Sequence, residues 1–261
     1  MDLKPEDVAR YYDLWTVHYI AAFGECIQAH RPSNDEHFLN YLADRIGLQA
    51  GIRALDAGCG VCGPARYFAR RTNCYINALT VSPTQGRIAE EENRQAGLSA
   101  HIQVRVGDFH DLGSLYPESS FDVVYFLESL SHSADPARVM RAVKGVLKPG
   151  GSLYIKDFFI RPCESEETQR EVLQVIERVN DLFAVETAWA KDIIEQATQA
   201  GFVLEFAERP QFTVDNSRWQ TFERAHGIDL FAGKGSFDWS EWFELKFRNA
   251  SRIETECLEN E

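Results

Sequence analysis

The residues that point most directly to chemistry are three glycines and one carboxylate at the end of an apolar strand. The run LDAGCGVCGPARYFA, residues 55–69, places Asp56 near the end of the strand and then turns into a helix through Gly58, Gly60 and Gly63. Glycine has no β-carbon, so its backbone can approach a ligand closely and adopt a positive φ. Such a turn is typical of sites for nucleotide-like cofactors.

The same run satisfies the pattern G-x-G-x-x-G, which also occurs in enzymes that bind dinucleotides. Those enzymes carry an acidic residue about twenty positions later that holds the ribose, whereas the second predicted strand here ends in Ala78, Leu79 and Thr80. Asp56 would repel a pyrophosphate but attract an ammonium and a sulfonium, because Coulomb attraction is strong in a partly dry cleft. We therefore expect a sulfonium cofactor, with a nicotinamide dehydrogenase as an alternative.

Several segments, in the right order, resemble the motifs of class I S-adenosylmethionine-dependent methyltransferases. GCGVCGPAR resembles the sterol C-methyltransferase branch. YINALTVSPTQ resembles methyltransferases that act on alkenes, including prenyl diphosphate C-methyltransferases and cyclopropane fatty acid synthases. The likeness continues through VRVGDFHDL (104–112), FDVVYFLESLSH (121–132) and LKPGGSLYIKDF (147–158). The resemblance implies S-adenosyl-L-methionine as cofactor and an α/β fold: a Rossmann-like, mostly parallel sheet of seven strands with helices on both faces and an N-terminal helical lid.

Eight residues are candidates for binding this cofactor. Asp56 and the glycine turn suit the methionine end, and the polar side chains after the second strand suit the ribose. The resemblance places Thr80 and Gln85 at the ribose. It also places an acid and an aromatic residue at the adenine, here Asp108 and Phe109. The full set is Asp56, Gly58, Gly60, Thr80, Ser82, Gln85, Asp108 and Phe109. A purely structural turn, and a strand-end cap at Asp108, are the simpler interpretations.

Glu128 and His132 are the candidate catalytic residues. Glu128 follows the apolar strand that begins at Phe121, so it emerges at the carboxyl edge of the sheet, where ligands bind. Methylation of an alkene carbon produces a carbocation, which needs a nearby anion and a base. In the alkene methyltransferases that this chain resembles, an acid at this position does that work and the histidine lines the pocket. Alternatively, Glu128 binds the cofactor or a backbone amide, and His132 is a satisfied pocket histidine.

An aromatic stripe near the N-terminus is the candidate substrate pocket. Its members recur at helical spacing and could stabilise a cation through their ring quadrupoles. Helical spacing alone equally indicates core packing, but YYDLWTVHY resembles the start of sterol methyltransferases and thus a lid over the site. The assigned pocket residues are Tyr11, Tyr12, Trp15, Tyr19 and, from the fourth strand, Tyr125.

Composition excludes several classes of partner. The chain has 261 residues, 44% of them hydrophobic, and a formal net charge of −13, which disfavours binding to nucleic acid or to anionic membranes. There is no apolar run long enough for stable membrane insertion and no secretory signal pattern, so we expect a cytoplasmic location. We expect a lipophilic or prenyl small molecule as partner. The oligomeric state stays open.

No metal site is expected from the sequence. Cys59 and Cys62 form a C-x-x-C, but both lie inside the glycine turn and no second ligand pair is spaced for zinc. A diphosphate substrate would call for Mg²⁺ and for cations at its head group. The cations that could serve there are scattered and form no motif: Arg31, Arg45, Lys156, Arg161 and Arg218.

The elements that must position these residues alternate between strands and helices. Strands are predicted at 52–57, 74–79, 101–106, 121–127, 152–158 and 202–208, with helices between them, and this alternation predicts parallel strands covered on both faces. Helices are also predicted at 5–30, 34–46, 164–183 and 188–200. Residues 1–48 are predicted to form a helical cap, and residues 49–261 a catalytic domain with a helical insertion at about 161–186. After residue 211 the aromatic-rich sequence allows no placement of the last strands, and residues 254–261 are predicted to fray.

These patterns together predict a methyltransferase that transfers a methyl group to a carbon of an isoprenoid alkene, either a prenyl diphosphate or a sterol-like molecule. An N- or O-methyltransferase of a small secondary metabolite is the first alternative, because fold does not fix substrate. A regulator that binds S-adenosylmethionine without turnover is the non-enzymatic alternative.

Overall fold

The computed structural model describes residues 3–233 and 236–250, so the predicted fraying tail lies outside the described residues. The helices are α1 (Pro5–Phe23), α2 (Asp35–Ile46), α3 (Gly63–Thr72), α4 (Pro83–Gln95), α5 (Leu112–Leu115), α6 (Pro136–Val146), α7 (Glu166–Phe183), α8 (Ala190–Gln199) and α9 (Ser217–His226). The strands are β1 (Arg53–Ala57), β2 (Tyr75–Thr80), β3 (Ile102–Val106), β4 (Phe121–Leu127), β5 (Leu147–Ile160), β6 (Phe202–Glu208) and β7 (Ser240–Asn249).

The seven strands form one sheet in the order β3-β2-β1-β4-β5-β7-β6. The pairs among β1 to β5 are parallel, and β7 runs antiparallel to both of its neighbours. The chain winds outward from β1 toward β3 and then returns to place β4 on the other side of β1. In such sheets ligands bind beyond the carboxyl ends of the strands at this reversal, which here lies between β1 and β4.

Apolar side chains cover both faces of the sheet, as the alternation of elements predicts. On one face Phe38 and Leu42 of α2 pack with Phe68 of α3. On the other face Met140 of α6 and Ile193 of α8 pack against β4, β5 and β7. These clusters fix the strands and therefore the positions at which their carboxyl ends stop.

The N-terminal segment contributes to two different layers. Helix α2 is part of the core cluster on one face of the sheet. Helix α1 instead packs through Tyr19 and Phe23 against Phe222 of α9. The single helix predicted over 5–30 ends at Phe23, because Gly24 adopts a φ of 70° and the chain leaves the helical path. Residues 24–34 then connect α1 to α2 without forming a helix.

The region beyond residue 211, which sequence patterns do not place, supplies α9 and β7. β7 inserts between β5 and β6, and Leu245 and Phe247 on it are fully buried. The helix predicted over 164–183 is α7, and its status as an insertion stays a prediction.

Candidate active site

Two adjoining cavities open beyond the carboxyl ends of β1 and β4. The first, called here the cofactor cavity, lies between α1, the turn after β1 and the ends of β2 and β3. The second, called here the aromatic cavity, has a volume of about 560 Å³ and lies between α1, α7, α9 and the ends of β5 and β7. Five residues line both cavities and form their shared wall: Tyr12, Ile27, Gln28, Glu128 and His132.

The turn after β1 requires glycine at position 58 for two reasons. Gly58 has a φ of 101°, which side-chain-bearing residues rarely adopt. A β-carbon on Gly58 would also lie 2.4 Å from Cβ of Ser129, which is too close for any real contact. The amides of Gly58 and Cys59 both donate to the carbonyl oxygen of Leu79 at 2.9 Å, so the turn is tied to the end of β2. Gly58 and Gly60 line the cofactor cavity, as expected for a cofactor turn.

Asp56 lies at the base of the cofactor cavity and is 3% exposed. Burial raises the pKa of its carboxyl to about 7, because a charge is costly in a poorly solvated site. An ammonium or sulfonium placed next to this carboxyl would favour its ionised form. The residue types of this cavity therefore fit the cofactor that the sequence predicts.

Thr80 and Gln85 both line the cofactor cavity, and the hydroxyl of Thr80 donates to Oε1 of Gln85 at 2.8 Å. Ser82 does not share that position, and its assignment is corrected here. It is fully buried, its hydroxyl donates to Asp13 on α1 at 2.6 Å, and it accepts from the amide of Gln85 at 3.1 Å. Ser82 therefore caps the start of α4 and joins it to α1.

Phe109 lines the cofactor cavity, whereas Asp108 caps the short 3₁₀ turn that follows β3. Asp108 accepts from the amide of His110 at 2.9 Å and from its Nδ1 at 2.6 Å. Partial burial raises the pKa of Asp108, but the hydrogen bonds from His110 outweigh this and hold the pKa below its usual value. The strand-end cap is thus present, and a contact of Asp108 with adenine stays a prediction.

Glu128 stands at the shared wall with an anchored carboxylate. Its Oε1 accepts from the ammonium of Lys156 and from the amide of His30 at 3.3 Å, and its Oε2 accepts from the amide of Ala29 at 2.7 Å. Its φ of 57° is unusual for a residue with a long side chain and is held by a hydrogen bond of 2.7 Å from its amide to the carbonyl of Lys156. The backbone-amide interpretation is therefore seen directly, and the carboxylate still lines both cavities.

His132 is held as a neutral imidazole between two partners. Burial lowers its pKa to about 4. Its Nδ1 lies 2.7 Å from the carbonyl oxygen of Ala184, so Nδ1 carries the proton and donates. Nε2 then accepts from the hydroxyl of Tyr12, also at 2.7 Å.

The aromatic stripe of α1 divides between cavity and core. Tyr12 and Tyr19 line the aromatic cavity. Tyr11 and Trp15 line neither cavity, and their pocket assignment is corrected: Tyr11 lies against Tyr19, with 2.5 Å between their hydroxyl oxygens, and Trp15 packs on α9. Tyr125 is also corrected, because it is fully buried in the core, opposite Asp56 on the neighbouring strand. The i, i+4 spacing predicts that these rings lie on one face of the helix, but it does not predict which residues each ring contacts.

Sequence reasoning missed most of the aromatic cavity. Its other described rings come from six separate parts of the chain: Phe23, His30, Phe158, Phe183, Trp219, Phe231, Phe237, Trp239 and Trp242. The density of aromatic residues after position 211 was visible in the sequence, but density does not distinguish a cavity from a core. Gln28 was missed altogether.

The scattered cations do not form a head-group site. Each of them has a carboxylate partner: Lys156 with Glu128, Arg31 and Arg218 with Asp35, Arg45 with Glu244, and Arg161 with Asp238. Among the described residues that line the aromatic cavity there are three acids and neither lysine nor arginine. Within 3–233 and 236–250, no three His, Cys, Asp or Glu side chains are grouped as a metal ion would require.

The sequence of this region matches a known family. Residues 55–155 match the family model described as "Methyltransferase domain". The matched segment runs from β1 to β5 and includes the turns that line the cofactor cavity. It is 34% identical over 157 residues to a sterol 24-C-methyltransferase of Neurospora crassa, an alignment that covers 58% of this chain and 41% of that enzyme. The chain thus spans less than half of that relative's length.

Solved structures share the fold of this chain. The 4+2 cyclase SpnF superimposes with a TM-score of 0.76 at 24% identity, covering 95% of this chain and 96% of that one. A geranyl diphosphate C-methyltransferase of Streptomyces coelicolor superimposes with a TM-score of 0.73 at 16% identity, covering 94% and 98%. At such identities the likeness establishes the fold alone. Within the part of the chain described here, no helix combines the length and apolar character needed to cross a bilayer.

Proposed function

We propose that this protein uses S-adenosylmethionine to methylate a carbon of an uncharged, lipophilic isoprenoid alkene. The observation that carries the proposal is the shared wall. A cavity built on the methyltransferase turn and a cavity lined by aromatic rings meet at the carboxylate of Glu128. A donor on one side and an apolar acceptor on the other would be aligned across that wall, and alignment is the main contribution that a protein makes to such a displacement.

The cofactor, when bound, supplies an electrophilic methyl group on a sulfonium. Asp56 would pair with its ammonium end, and the glycine turn leaves room for close approach of the backbone. Thr80 and Gln85 would face the ribose, and Phe109 would contact the adenine. These assignments use residues that already line the cofactor cavity.

On the acceptor side, the alkene π electrons would form the new carbon–carbon bond while the pair of the breaking carbon–sulfur bond returns to sulfur. The resulting carbocation would lie next to Glu128 and among aromatic faces, which attract cations. Loss of a proton to the carboxylate would restore an alkene. We therefore assign Glu128 as the anion that stabilises the cation and as the proton acceptor.

The charges of the site support an uncharged acceptor over a prenyl diphosphate. Lysine and arginine are absent from the described lining of the aromatic cavity, while Glu128, Glu223 and Asp238 are present. A diphosphate there would lie beside these carboxylates, and the described lining offers it neither lysine nor arginine as a partner. Burial of uncompensated charge is costly. A sterol-like or prenyl hydrocarbon fits the rings without that cost.

A second candidate is methyl transfer to oxygen or nitrogen of a small metabolite. The observation that favours it is the neutral His132, whose Nε2 accepts from Tyr12 at the shared wall. An acceptor hydroxyl or ammonium that displaced Tyr12 could give its proton to this nitrogen.

The test incubates the purified chain with S-adenosylmethionine that carries a deuterated methyl group. Separate reactions contain an uncharged prenyl or sterol alkene, a prenyl diphosphate with Mg²⁺, and a panel of small alcohols and amines. Mass spectrometry locates the label. We expect it on carbon of the uncharged alkene. Label only on oxygen or nitrogen would establish the second candidate, and a rearranged but unlabelled product would indicate a cyclase.

Two variants separate these chemistries. Glu128→Gln should lower alkene methylation by about 100-fold or more, since it removes the anion next to the developing charge. Glu205→Gln, which changes an exposed acid on β6 that lines neither cavity, serves as the control and should retain activity. Binding of S-adenosylhomocysteine without transfer to any acceptor would identify a regulator, and absence of any binding heat would overturn the proposal.

A further inference from the structure

Residues 24–34, called here the strap, run from the end of α1 to the start of α2 across both cavities. Glu25 lines the cofactor cavity, Ile27 and Gln28 line both, and Ala29 and His30 line the aromatic cavity. The strap therefore passes from one cavity to the other within six residues. It supplies two of the five residues of the shared wall, so part of that wall is an irregular segment and not a strand of the sheet.

The middle of the strap is attached to the ends of β4 and β5 by polar contacts. The side chain of Gln28 donates to the carbonyl oxygen of Leu127 at 2.9 Å. The next two amides, of Ala29 and His30, donate to the carboxylate of Glu128. Two consecutive amides on one carboxylate fix the direction of the backbone as well as its distance from the sheet.

Lys156 completes this attachment from below. It lies on β5, its side chain is completely buried, and its ammonium contacts Glu128 and lies 3.3 Å from Oε1 of Gln28. The ammonium also lies over the rings of Phe38 and Trp242, at 5.3 and 5.2 Å from their centroids. A buried lysine is retained at low cost only when an anion and further acceptors surround it. Here Gln28 belongs to the strap, Glu128 is its anchor and Trp242 lines the aromatic cavity, while Phe38 belongs to α2, which follows the strap.

The cofactor end of the strap has its own attachment. Glu25 forms an ion pair with Arg66 of α3 at 2.9 Å. A β-carbon on Gly63 would lie 2.1 Å from the carbonyl oxygen of Glu25, so the strap packs directly on the glycine turn. The strap is thus clamped at one end to the turn after β1 and in its middle to Glu128.

We propose that Lys156 is a positioning residue: with Glu128 it fixes the strap, and the strap sets the separation between the methyl donor and the acceptor. Ile27 and Gln28 are then the residues that determine which acceptors reach the donor. The assignment of donor and acceptor sides rests on the proposed function, whereas the attachment of the strap does not. Glu128 accordingly has two roles, one toward the reaction and one toward the backbone.

The test is hydrogen exchange of the full chain, read in peptides that cover residues 24–34. In Lys156→Met we expect the amides of Ala29 and His30 to exchange at least about 10-fold faster, because their acceptor loses its counter-charge. Lys148→Met is the matched control. Lys148 lies on the same strand, pairs with Asp122 at 2.6 Å, and is half-exposed at the opposite end of the sheet. It should leave strap exchange unchanged.

A double variant separates a specific role from general destabilisation. Lys156→Met leaves Glu128 without its cation, and Glu128→Gln leaves a buried ammonium without its anion. Each single change should therefore lower the free energy of unfolding by more than the change in side-chain size would explain. The double variant should be at least as stable as either single variant, because it removes both charges together. If Lys156→Met fails to fold, Glu128→Gln and the double variant still give the strap exchange.

The outcomes distinguish this inference from the proposed function. Unchanged strap exchange in the Lys156 and Glu128 variants, or equal acceleration in Lys148→Met, would overturn the positioning role. Faster strap exchange together with transfer to no acceptor would leave the strap assignment intact and contradict only the proposed function. With an active acceptor, Ile27→Ala should change the ratio of kcat/KM between a small and a bulky alkene at least about 3-fold, and an unchanged ratio would overturn the role of Ile27 in acceptor choice.

Discussion

The cofactor cavity and the aromatic cavity share a wall but are built in different ways. The cofactor cavity lies on turns that directly follow β1, β2 and β3, so each of its key residues sits beside the strand that positions it. The aromatic cavity draws rings from α1, the strap, β5, α7, α9 and β7, which are distant in sequence. Cofactor binding is thus a local property of strand ends, whereas acceptor binding depends on how remote segments pack. Changes to one cavity should therefore leave the other measurably intact.

The largest expected effect comes from Gly58→Ala in the cofactor cavity. The added β-carbon would clash with Ser129, and the φ of 101° would be strained. We expect affinity for S-adenosylhomocysteine to fall by about 100-fold or more, as measured by calorimetry. Gly97→Ala is the control, because Gly97 has a φ of 70° but no atom within 4 Å of the added carbon. It should cost only about 1 kcal/mol of stability and leave binding unchanged.

Trp219→Ala should affect the other cavity. Trp219 lines the aromatic cavity and not the cofactor cavity. Loss of a large apolar contact of about 2 kcal/mol should raise KM for a lipophilic acceptor about 30-fold. Affinity for S-adenosylhomocysteine should stay the same, and Trp189→Ala, outside both cavities, should leave KM unchanged. A parallel loss of cofactor affinity would show that the two cavities are not separable.

The pH dependence of cofactor binding should report on Asp56, because Asp157, whose pKa burial also raises to about 7, lines neither cavity. Its pKa is raised by burial to about 7 in the free protein, so the carboxyl is protonated below that pH and ionised above it. A ligand ammonium pairs with the ionised form. Affinity for S-adenosylhomocysteine should therefore rise about 10-fold between about pH 6 and pH 8, and Asp56→Asn should give a flat and weaker profile. A wild-type profile as flat as that of the variant would contradict the assignment.

The smallest effect is expected at Asp13, which attaches α1 to the start of α4. Asp13 accepts from the hydroxyl of Ser82 at 2.6 Å and from the amide of Thr84 at 3.1 Å. Partial burial raises the pKa of Asp13, but these hydrogen bonds outweigh it and keep the pKa below its usual value. Asp13→Ala should speed release of S-adenosylhomocysteine about 3-fold in stopped-flow measurements, because α1 is less firmly held over the cavity. Asp13→Asn retains a hydrogen-bond acceptor, so its rate of release should lie between those of the wild type and Asp13→Ala.

Sequence reasoning anticipated the parts of the site whose residues lie at the end of a strand or directly after it, because the direction of the strand then fixes where those residues lie. Asp56 lies near the end of β1 and is followed by a glycine-rich turn, a pattern that few local structures satisfy. Glu128 directly follows β4, so it must lie at the carboxyl edge of the sheet. Reasoning failed where a residue type fits two environments equally well. Tyr125 and Tyr12 are both aromatic residues next to a predicted site, yet one is in the core and the other lines both cavities. Ser82 failed for a similar reason, since a hydroxyl can cap a helix as readily as it can face a ribose.

The alternation of strands and helices, the glycine turn and the methyltransferase motifs can be predicted from the order of residues, because strand ends and turns depend on neighbouring residues. The folded chain was needed to show that a non-helical strap separates the two cavities, that Lys156 is buried next to Glu128, and that α9 and β7 complete the aromatic cavity. These features come from contacts between segments up to about two hundred residues apart, as where His30 of the strap stacks on Trp242 of β7. Such contacts leave no pattern in the local sequence. A buried cation requires an anion, but the residues around the cation in the sequence do not show which anion that is.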